Sequence, residues 1–414
     1  LAHSRGKRVI FGGPFATILE TIPALRGQIF SDSHNSVDMV VQGDGIVPMH
    51  EVAQRLQEGG PLVDIKGTST IESGRYYRNP RGGAPFDARN LPLPLWGAFP
   101  RIRRNELKIA SIITSIGCPQ HCTFCEARII APGFRIRDPE SIAEELRHKY
   151  EHHKLSLYFV GDSSLTSYPH DRMQELIQRM SALSLPIRFS AFGRVDEIIA
   201  MKHLLPSLRR IGLASINVGI ESSNQQILDR VSKGITVEQI QDAVRILKEN
   251  KIRVIGNFIF GLPGETQESI QETIRFAAGL ELYEVGWHIF APNVASDVPR
   301  TDWSAIETDV PVNVFPELFA TKERAAQPRL LEGYYNLPFH IAIPDDLPLH
   351  ASGFSYKELF HWLSIARQQD GGISRFSVDG DASSPLTLSA SRAALPNGMQ
   401  RQSSPVGARS ICAE

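Results

Sequence analysis

Short apolar segments rich in β-branched residues alternate with amphipathic segments between residues 108 and 290. Regular succession of strand and helix predicts a parallel sheet or barrel, because neighbouring parallel strands need a crossover connection that is usually a helix. The segments with strand composition are 108–115, 155–160, 187–192, 214–218, 254–260 and 285–290. This pattern predicts an α/β fold in which the six strands form a parallel sheet or a barrel.

Two of the intervening segments carry clear signals for the start of a helix. Asp138 followed by Pro139 suits an N-cap and a first helical turn. Thr236 with Gln239 three residues later is a capping-box pattern ahead of apolar residues on one face. Both signals predict helices that cover the sheet.

Composition shifts divide the chain into four parts. Residues 1–95 are predicted to be the end of another α/β unit followed by a linker, with the Gly- and Pro-rich stretch 67–100 as the linker. Residues 96–295 form the barrel. Residues 296–368 mix Pro with aromatic residues and suggest an accessory domain, and residues 369–414 are expected to be a disordered tail.

Charge and hydropathy limit the classes of partner that this chain is expected to bind. With 44 Lys and Arg against 45 Asp and Glu, the formal charge of -1 gives no field to gather nucleic acid or an anionic membrane. No apolar run approaches the roughly 20 residues of a membrane helix. We therefore expect a cytoplasmic protein with neither nucleic acid nor membrane as a partner.

Three of the 4 cysteines lie within one short segment directly after the first barrel strand. The spacing of Cys118, Cys122 and Cys125 allows a loop to wrap three thiolates around one face of an iron–sulfur cubane, which leaves the fourth iron open. The alternatives are buried free cysteines or a zinc site completed by His121. Clustering in a loop bounded by Gly and Pro favours the iron–sulfur cluster.

This motif, with aromatic Phe124 before the third cysteine, resembles that of the radical S-adenosylmethionine (SAM) superfamily. The resemblance implies a [4Fe-4S] cluster held by Cys118, Cys122 and Cys125 and a partial (βα)6 barrel. It places Gly161 and Asp162, after the second strand, near the amino group of SAM. A strand-end turn is the alternative for Asp162.

Further segments extend the resemblance along the barrel. Residues 218–222, with Glu221, are similar to the family's Gly-Ile-Glu-Ser segment, and residues 256–266 to its Gly-Leu-Pro-Gly-Glu-Thr segment, where Ile259 and Leu262 would flank adenine. A tight turn in which Thr266 caps a helix is the alternative for the second segment. Arg194, followed by Asp196, matches a family pattern in which Arg could hold the SAM carboxylate; a structural salt bridge is the alternative.

The N-terminal glycines resemble the closing segments of the cobalamin-binding domain found in one branch of this superfamily. Gly12, Gly13 and Gly43 would let the tail of cobalamin pass close to the backbone at the strand ends of a Rossmann-like sheet. Turns without a ligand are the alternative. The resemblance covers only the last part of that domain, so we expect a chain truncated at its N-terminus.

The resemblance implies a function. SAM would be cleaved to a 5'-deoxyadenosyl radical, and cobalamin would make the enzyme a C-methyltransferase of a small molecule. An external electron donor such as a flavodoxin or ferredoxin would supply the electron. The alternatives are a cyclase, isomerase or oxidoreductase of the same class, or a degenerate iron–sulfur protein without catalysis.

Overall fold

A computed structural model describes residues 5–13, 16–17, 37–72, 75–80, 86–98, 100, 109–290, 354 and 356–369. The N-terminal unit contains strands β1 (Ile10–Gly12) and β2 (Met39–Val41), helix α1 (Ile46–Glu58), and strands β3 (Thr68–Glu72) and β4 (Arg75–Arg78). Strands β1 and β2 are parallel, whereas β3 and β4 continue the same sheet in antiparallel orientation.

The predicted linker 67–100 was wrong in its first part. Strands β3 and β4 lie there, and Thr68, Ser69 and Thr70 are buried. Threonine has high β-propensity, and its hydroxyl can be satisfied by nearby carbonyls: Thr70 Oγ1 donates to Asp38 O at 2.8 Å. The polar composition of this stretch therefore led to the prediction of a linker where two strands form.

The barrel is built from six parallel strands that are hydrogen-bonded in chain order. A two-stranded antiparallel ribbon follows the first of them. The six are β5 (Ile109–Ile112), β8 (Leu157–Val160), β9 (Arg188–Gly193), β10 (Leu213–Glu221), β11 (Arg253–Phe260) and β12 (Glu284–Ile289), and the ribbon is β6 (Ser115–Ile116) with β7 (Arg135–Ile136). All six predicted strands are confirmed, and the α/β fold with them.

Helices connect these strands. They are α2 (Ala127–Ile130), α3 (Pro139–His153), α4 (His170–Leu183), α5 (Val195–Ala200), α6 (Leu205–Arg210), α7 (Gln225–Arg230), α8 (Val237–Glu249) and α9 (Gln267–Gly279). The capping box of Thr236 and Gln239 is present as predicted. Asp138 precedes α3 but makes no side-chain cap, because its carboxylate pairs with Arg172 at 2.7 Å instead.

Strand β11 shows how the sheet separates its two faces. Its side chains alternate between buried and partly exposed along the whole strand. Phe258 and Phe260 pack on Trp287 of β12 in the main core beneath the helices, with ring centroids 4.9 and 5.1 Å apart. The alternate residues, including Asn257 and Ile259, lie on the opposite, inner face of the barrel.

Helix α10 (Tyr356–Gln369) follows in the C-terminal region and packs against α9 and β12. Its residues Leu359, Leu363 and Ala366 join the main core. The rest of the predicted accessory domain 296–368 and of the predicted tail 369–414 lies outside the described residues. Among the helices that are described, none has the length and hydropathy to cross a membrane.

Candidate active site at the barrel mouth

The cysteine loop lies between β6 and α2, at the carboxyl end of the barrel strands. Gly117, immediately before Cys118, has φ 86°. A Cβ at this position would lie 2.8 Å from Ala131 O and would collide with Gly133 O. Only glycine lets the two sides of the loop approach this closely.

Asp162 fixes the start of this loop. Its carboxylate accepts hydrogen bonds from Thr114 N and Ser115 Oγ, both at 2.7 Å, and from Thr114 Oγ1. Burial raises the pKa of Asp162, and the hydroxyl donors oppose that rise. Neighbouring Gly161 is exposed, and its N–H donates to Ile112 O at 2.8 Å. These contacts give Asp162 a structural role. Contact of Gly161 or Asp162 with SAM stays a prediction.

Glu197 at the start of α5 holds the middle of the loop, and sequence reasoning missed it. Oε1 accepts from Gln120 Nε2 at 2.9 Å and from Ser167 Oγ at 2.6 Å, while Oε2 accepts from Ser164 Oγ at 2.8 Å and from Thr166 Oγ1 at 2.7 Å. The Ser-Leu-Thr-Ser run at 164–167 was the only sequence signal. Gln120 ties the cysteine loop to α5, and the three hydroxyl donors tie the 164–167 segment to the same carboxylate.

The three cysteine sulfurs differ in exposure, and each lies near an N–H group. Cys122 is buried, Cys118 is partly exposed and Cys125 is exposed. The backbone N–H of Gln120 is directed at Cys118, that of Ala127 at Cys125, and Arg194 Nη1 lies 3.5 Å from Cys122 Sγ. Burial is the main cause that raises the pKa of Cys118.

These donors suit thiolates that share a cluster. Hydrogen bonds to sulfur stabilise the charge that iron ligation leaves on thiolates. Within the described ranges, no three His, Cys, Asp or Glu side chains converge as ligands of a single metal ion. His121 is exposed. The ligands of a four-iron cluster bind different irons, and the three cysteines with the N–H groups that face them fit such a cluster.

Arg194 is buried next to the loop with all its guanidinium nitrogens engaged. Nη1 contacts Cys122 Sγ, Nη2 donates to the carbonyl of Lys233, and Nε forms an ion pair with Asp196 Oδ1 at 2.6 Å. Arg194 Nε and Asp196 Oδ1 are close enough for an ion pair, but their geometry is not that of a hydrogen bond. The salt bridge that was the alternative for Arg194 is thus present, and contact with the SAM carboxylate stays a prediction.

Glu221 and Lys233 form a buried ion pair next to Arg194, which donates to the carbonyl of Lys233. Lys233 Nζ lies 2.6 Å from Glu221 Oε1, and 5.7 Å from the ring centroid of Phe124. Glu221 has φ 69°, beside an irregularity in the pairing of β10 with β11. A Cβ at Gly219 would lie 2.5 Å from Glu221 Oε1 and 2.8 Å from Lys233 Nζ, so this glycine makes room for the pair.

Phe124, Ile259 and Leu262, which the resemblance assigns to SAM, come together in one apolar cluster with Ile227 and Val231. Glu265 closes the turn that follows β11: its Oε2 accepts from Gly261 N, and within the described part of the chain its buried Oε1 has no hydrogen-bond partner. Burial raises the pKa of Glu265 to about 8. Thr266 caps α9, as the alternative predicted.

The N-terminal glycines also lie together. Thr17 Oγ1 donates to Gly13 O at 3.0 Å and accepts from Gly43 N at 2.7 Å, which joins the ends of the parallel strands β1 and β2. A Cβ at Gly13 would meet no atom within 4 Å among the described residues. Asp44 pairs with Arg135 of β7 at 2.8 Å, which connects this edge to the cysteine loop's ribbon.

The barrel, the cysteine loop and the apolar cluster at its mouth define a radical SAM domain. Residues 112–277 match the model of the Radical SAM superfamily, so the chain carries a domain of that superfamily. Sequence comparison adds relatives. The chain is 27% identical over 288 residues to an uncharacterized methyltransferase of Pyrococcus horikoshii, covering 69% of this chain and 60% of the relative.

A second relative is the anaerobic magnesium-protoporphyrin IX monomethyl ester cyclase of Cereibacter sphaeroides, 30% identical over 265 residues, which cover 62% of this chain and 43% of the cyclase. The chain thus spans between 43% and 60% of the length of these two relatives.

Solved structures share the fold. The radical SAM methyltransferase TsrM of Kitasatospora setae has a TM-score of 0.53 at 19% identity, covering 68% of this chain and 55% of TsrM. The cobalamin-dependent radical SAM enzyme OxsB has a TM-score of 0.56 at 17% identity, covering 66% of this chain and 40% of OxsB.

Proposed function

We propose that this chain binds a [4Fe-4S] cluster through Cys118, Cys122 and Cys125 and cleaves SAM reductively, and that the whole protein is a cobalamin-dependent C-methyltransferase of a small molecule. When bound, the cluster supplies the electron that breaks a carbon–sulfur bond of SAM and so generates a 5'-deoxyadenosyl radical. The observation that carries this proposal is the loop that presents three cysteines at the barrel mouth, with Arg194 Nη1 3.5 Å from Cys122 Sγ.

The surrounding residues have separate tasks in this proposal. Asp162 and Glu197 hold the two parts of the cysteine loop in place. Phe124, Ile259 and Leu262 offer an apolar surface for adenine. Burial of a reactive primary radical among apolar side chains excludes water and restricts what it can attack.

Methyl transfer is supported by the N-terminal unit. Gly13 and Gly43 lie at the carboxyl ends of neighbouring parallel strands, where open α/β sheets bind ligands. These glycines suit cobalamin because a backbone without Cβ atoms lets the tail of the cofactor pass close to it. The relative that is named a methyltransferase and the folds of TsrM and OxsB agree with this proposal.

The cyclase relative favours a second candidate, a radical SAM reaction without methyl transfer, such as cyclisation, isomerisation or oxidation. Either reaction needs a low-potential donor, for which we propose a flavodoxin or ferredoxin. We also propose a cytoplasmic location, because a reducing compartment keeps cysteines available as ligands.

The test is an anaerobic reconstitution with iron and sulfide, followed by SAM and excess dithionite, with and without hydroxocobalamin. Reduced, unmethylated cobalamin accepts the methyl group of SAM and so releases S-adenosylhomocysteine. We expect 5'-deoxyadenosine in both arms and additional S-adenosylhomocysteine only with hydroxocobalamin. Cys118→Ala should abolish both products. Cys412→Ala is the matched control, because that cysteine lies outside the motif.

The outcomes of this test distinguish the proposed functions. Deoxyadenosine without cobalamin-dependent S-adenosylhomocysteine would contradict methyl transfer and favour the second candidate. An intact cluster that yields neither product would overturn the enzymatic proposal in favour of a non-catalytic iron–sulfur protein.

A further inference from the structure

Cys122 differs from the other two motif cysteines in the donor that faces its sulfur. Cys118 and Cys125 face neutral backbone N–H groups, while the charges of Arg194 on Cys118 and of Lys233 on Cys125 act more weakly than these groups do. Cys122 faces the guanidinium of Arg194, with Nη1 3.5 Å from Sγ. Cys122 and Arg194 are both buried, so solvent screens this charge less than it would at the surface.

The position of Arg194 is fixed from several sides. Nη2 donates to Lys233 O, Nε pairs with Asp196, and Arg194 N donates to Thr166 Oγ1 at 2.9 Å. Thr166 in turn donates to Glu197, the carboxylate that holds the cysteine loop. The backbone of Arg194 is therefore part of the network that positions the loop, while Lys233 O and Asp196 hold its guanidinium at the sulfur.

We propose that Arg194 sets the reduction potential of the cluster through Cys122 and does not serve as the ligand of the SAM carboxylate. This inference rests on the proposed cluster. On reduction the cluster takes one electron from a low-potential donor, which is oxidised, and no bond or proton changes. The added negative charge is spread over iron and its sulfur ligands, so a fixed cation and an N–H donor at one thiolate stabilise the reduced state and raise the potential.

The experiment is a redox titration of the reconstituted, full chain monitored by electron paramagnetic resonance. Arg194→Gln removes the charge, and we expect its midpoint potential to be more negative than that of the wild type. A tenfold loss of preference for the reduced state corresponds to about 59 mV for a one-electron couple. Arg194→Lys retains the charge and should recover part of the shift.

Two further variants keep the test decisive. Asp196→Asn removes the counter-ion and leaves Arg194, so the potential should become more positive even where Arg194→Gln folds poorly. Arg245→Gln is the matched control, because Arg245 is exposed on α8, where it pairs with Asp242 and Glu249, and it should leave the potential unchanged.

SAM affinity, measured on the oxidised protein, separates the two roles of Arg194. Unchanged potentials in Arg194→Gln and Asp196→Asn, together with a tenfold or larger loss of SAM affinity in Arg194→Gln, would overturn the inference and assign Arg194 to the carboxylate. Unchanged potentials with unchanged affinity would also overturn it. Failure of the wild-type chain to hold any cluster would instead contradict the proposed function on which the inference rests.

Discussion

Lys233 Nζ lies 2.6 Å from Glu221 Oε1, and both side chains are buried, at 8% and 7% exposure. The pair connects the end of β10 with the segment after α7, and Lys233 Nζ lies 5.7 Å from the ring centroid of Phe124. A buried pair of this kind contributes little over an apolar pair, but loss of one partner leaves an uncompensated charge in a poorly solvated place. This asymmetry gives the first prediction.

Glu221→Gln should lower the free energy of unfolding by about 3–5 kcal/mol, because Lys233 is left buried without its counter-charge. The double variant Glu221→Gln with Lys233→Met should recover much of that loss. Urea denaturation of the two single variants and the double variant measures the coupling. Additive effects would contradict it. Glu249→Gln, in an exposed pair with Arg245, is the control and should cost at most about 1 kcal/mol.

Gly117→Ala should destabilise the chain more than Gly133→Ala. Both glycines have positive φ, 86° and 76°, so each substitution carries a left-handed strain of about 1–2 kcal/mol. A Cβ at Gly133 meets no atom within 4 Å among the described residues, whereas one at Gly117 collides with the backbone carbonyls of Gly133 and Ala131. Thermal unfolding and the iron content after reconstitution measure the difference. Equal losses in the two variants would mean that the loop relaxes freely.

Glu197→Ala should weaken the hold on the cysteine loop. The substitution leaves Gln120, Ser164, Thr166 and Ser167 without their shared acceptor, and hydrogen bonds to a charged group are worth about 1.5–3 kcal/mol each. We expect a loss of at least about 2 kcal/mol in unfolding free energy, together with less iron retained after gel filtration. Full iron retention, equal to that of the exposed-site variant Glu249→Ala, would show that the loop does not depend on Glu197.

Because the pKa of Glu265 is raised, we expect the stability of the chain to depend on pH. This pKa is raised from 4.5 to about 8 by burial, so between these values the folded chain keeps a proton that the unfolded chain has released. Stability must then fall as pH rises through this window. Glu265→Gln removes the titration, so its stability relative to the wild type should increase from pH 5 to pH 8, as measured by urea unfolding at several pH values. A constant difference across that range would contradict the raised pKa.

The sequence by itself determined the six-strand alternation, the capped helices and the cysteine motif. Periodicity of 2 and 3.6 residues and cap residues act locally, so strands such as Arg253–Phe260 could be predicted to within a residue or two. The spacing of Cys118, Cys122 and Cys125 is equally local, because a short loop limits what three thiolates can hold. Strands β3 and β4 were missed because their stability depends on the pairing of β3 with β2 and of β4 with β3, which composition does not report.

Only the tertiary structure decided which distant side chains meet at the mouth. Glu197 lies 77 positions after Gln120, and Arg194 lies 72 positions after Cys122, yet each pair is in hydrogen-bond contact. Parallel strands bring their carboxyl ends to one edge of the sheet, so residues that follow different strands become neighbours. The partners of Arg194 and Asp162 therefore follow from strand order and register, which no local pattern in the chain contains.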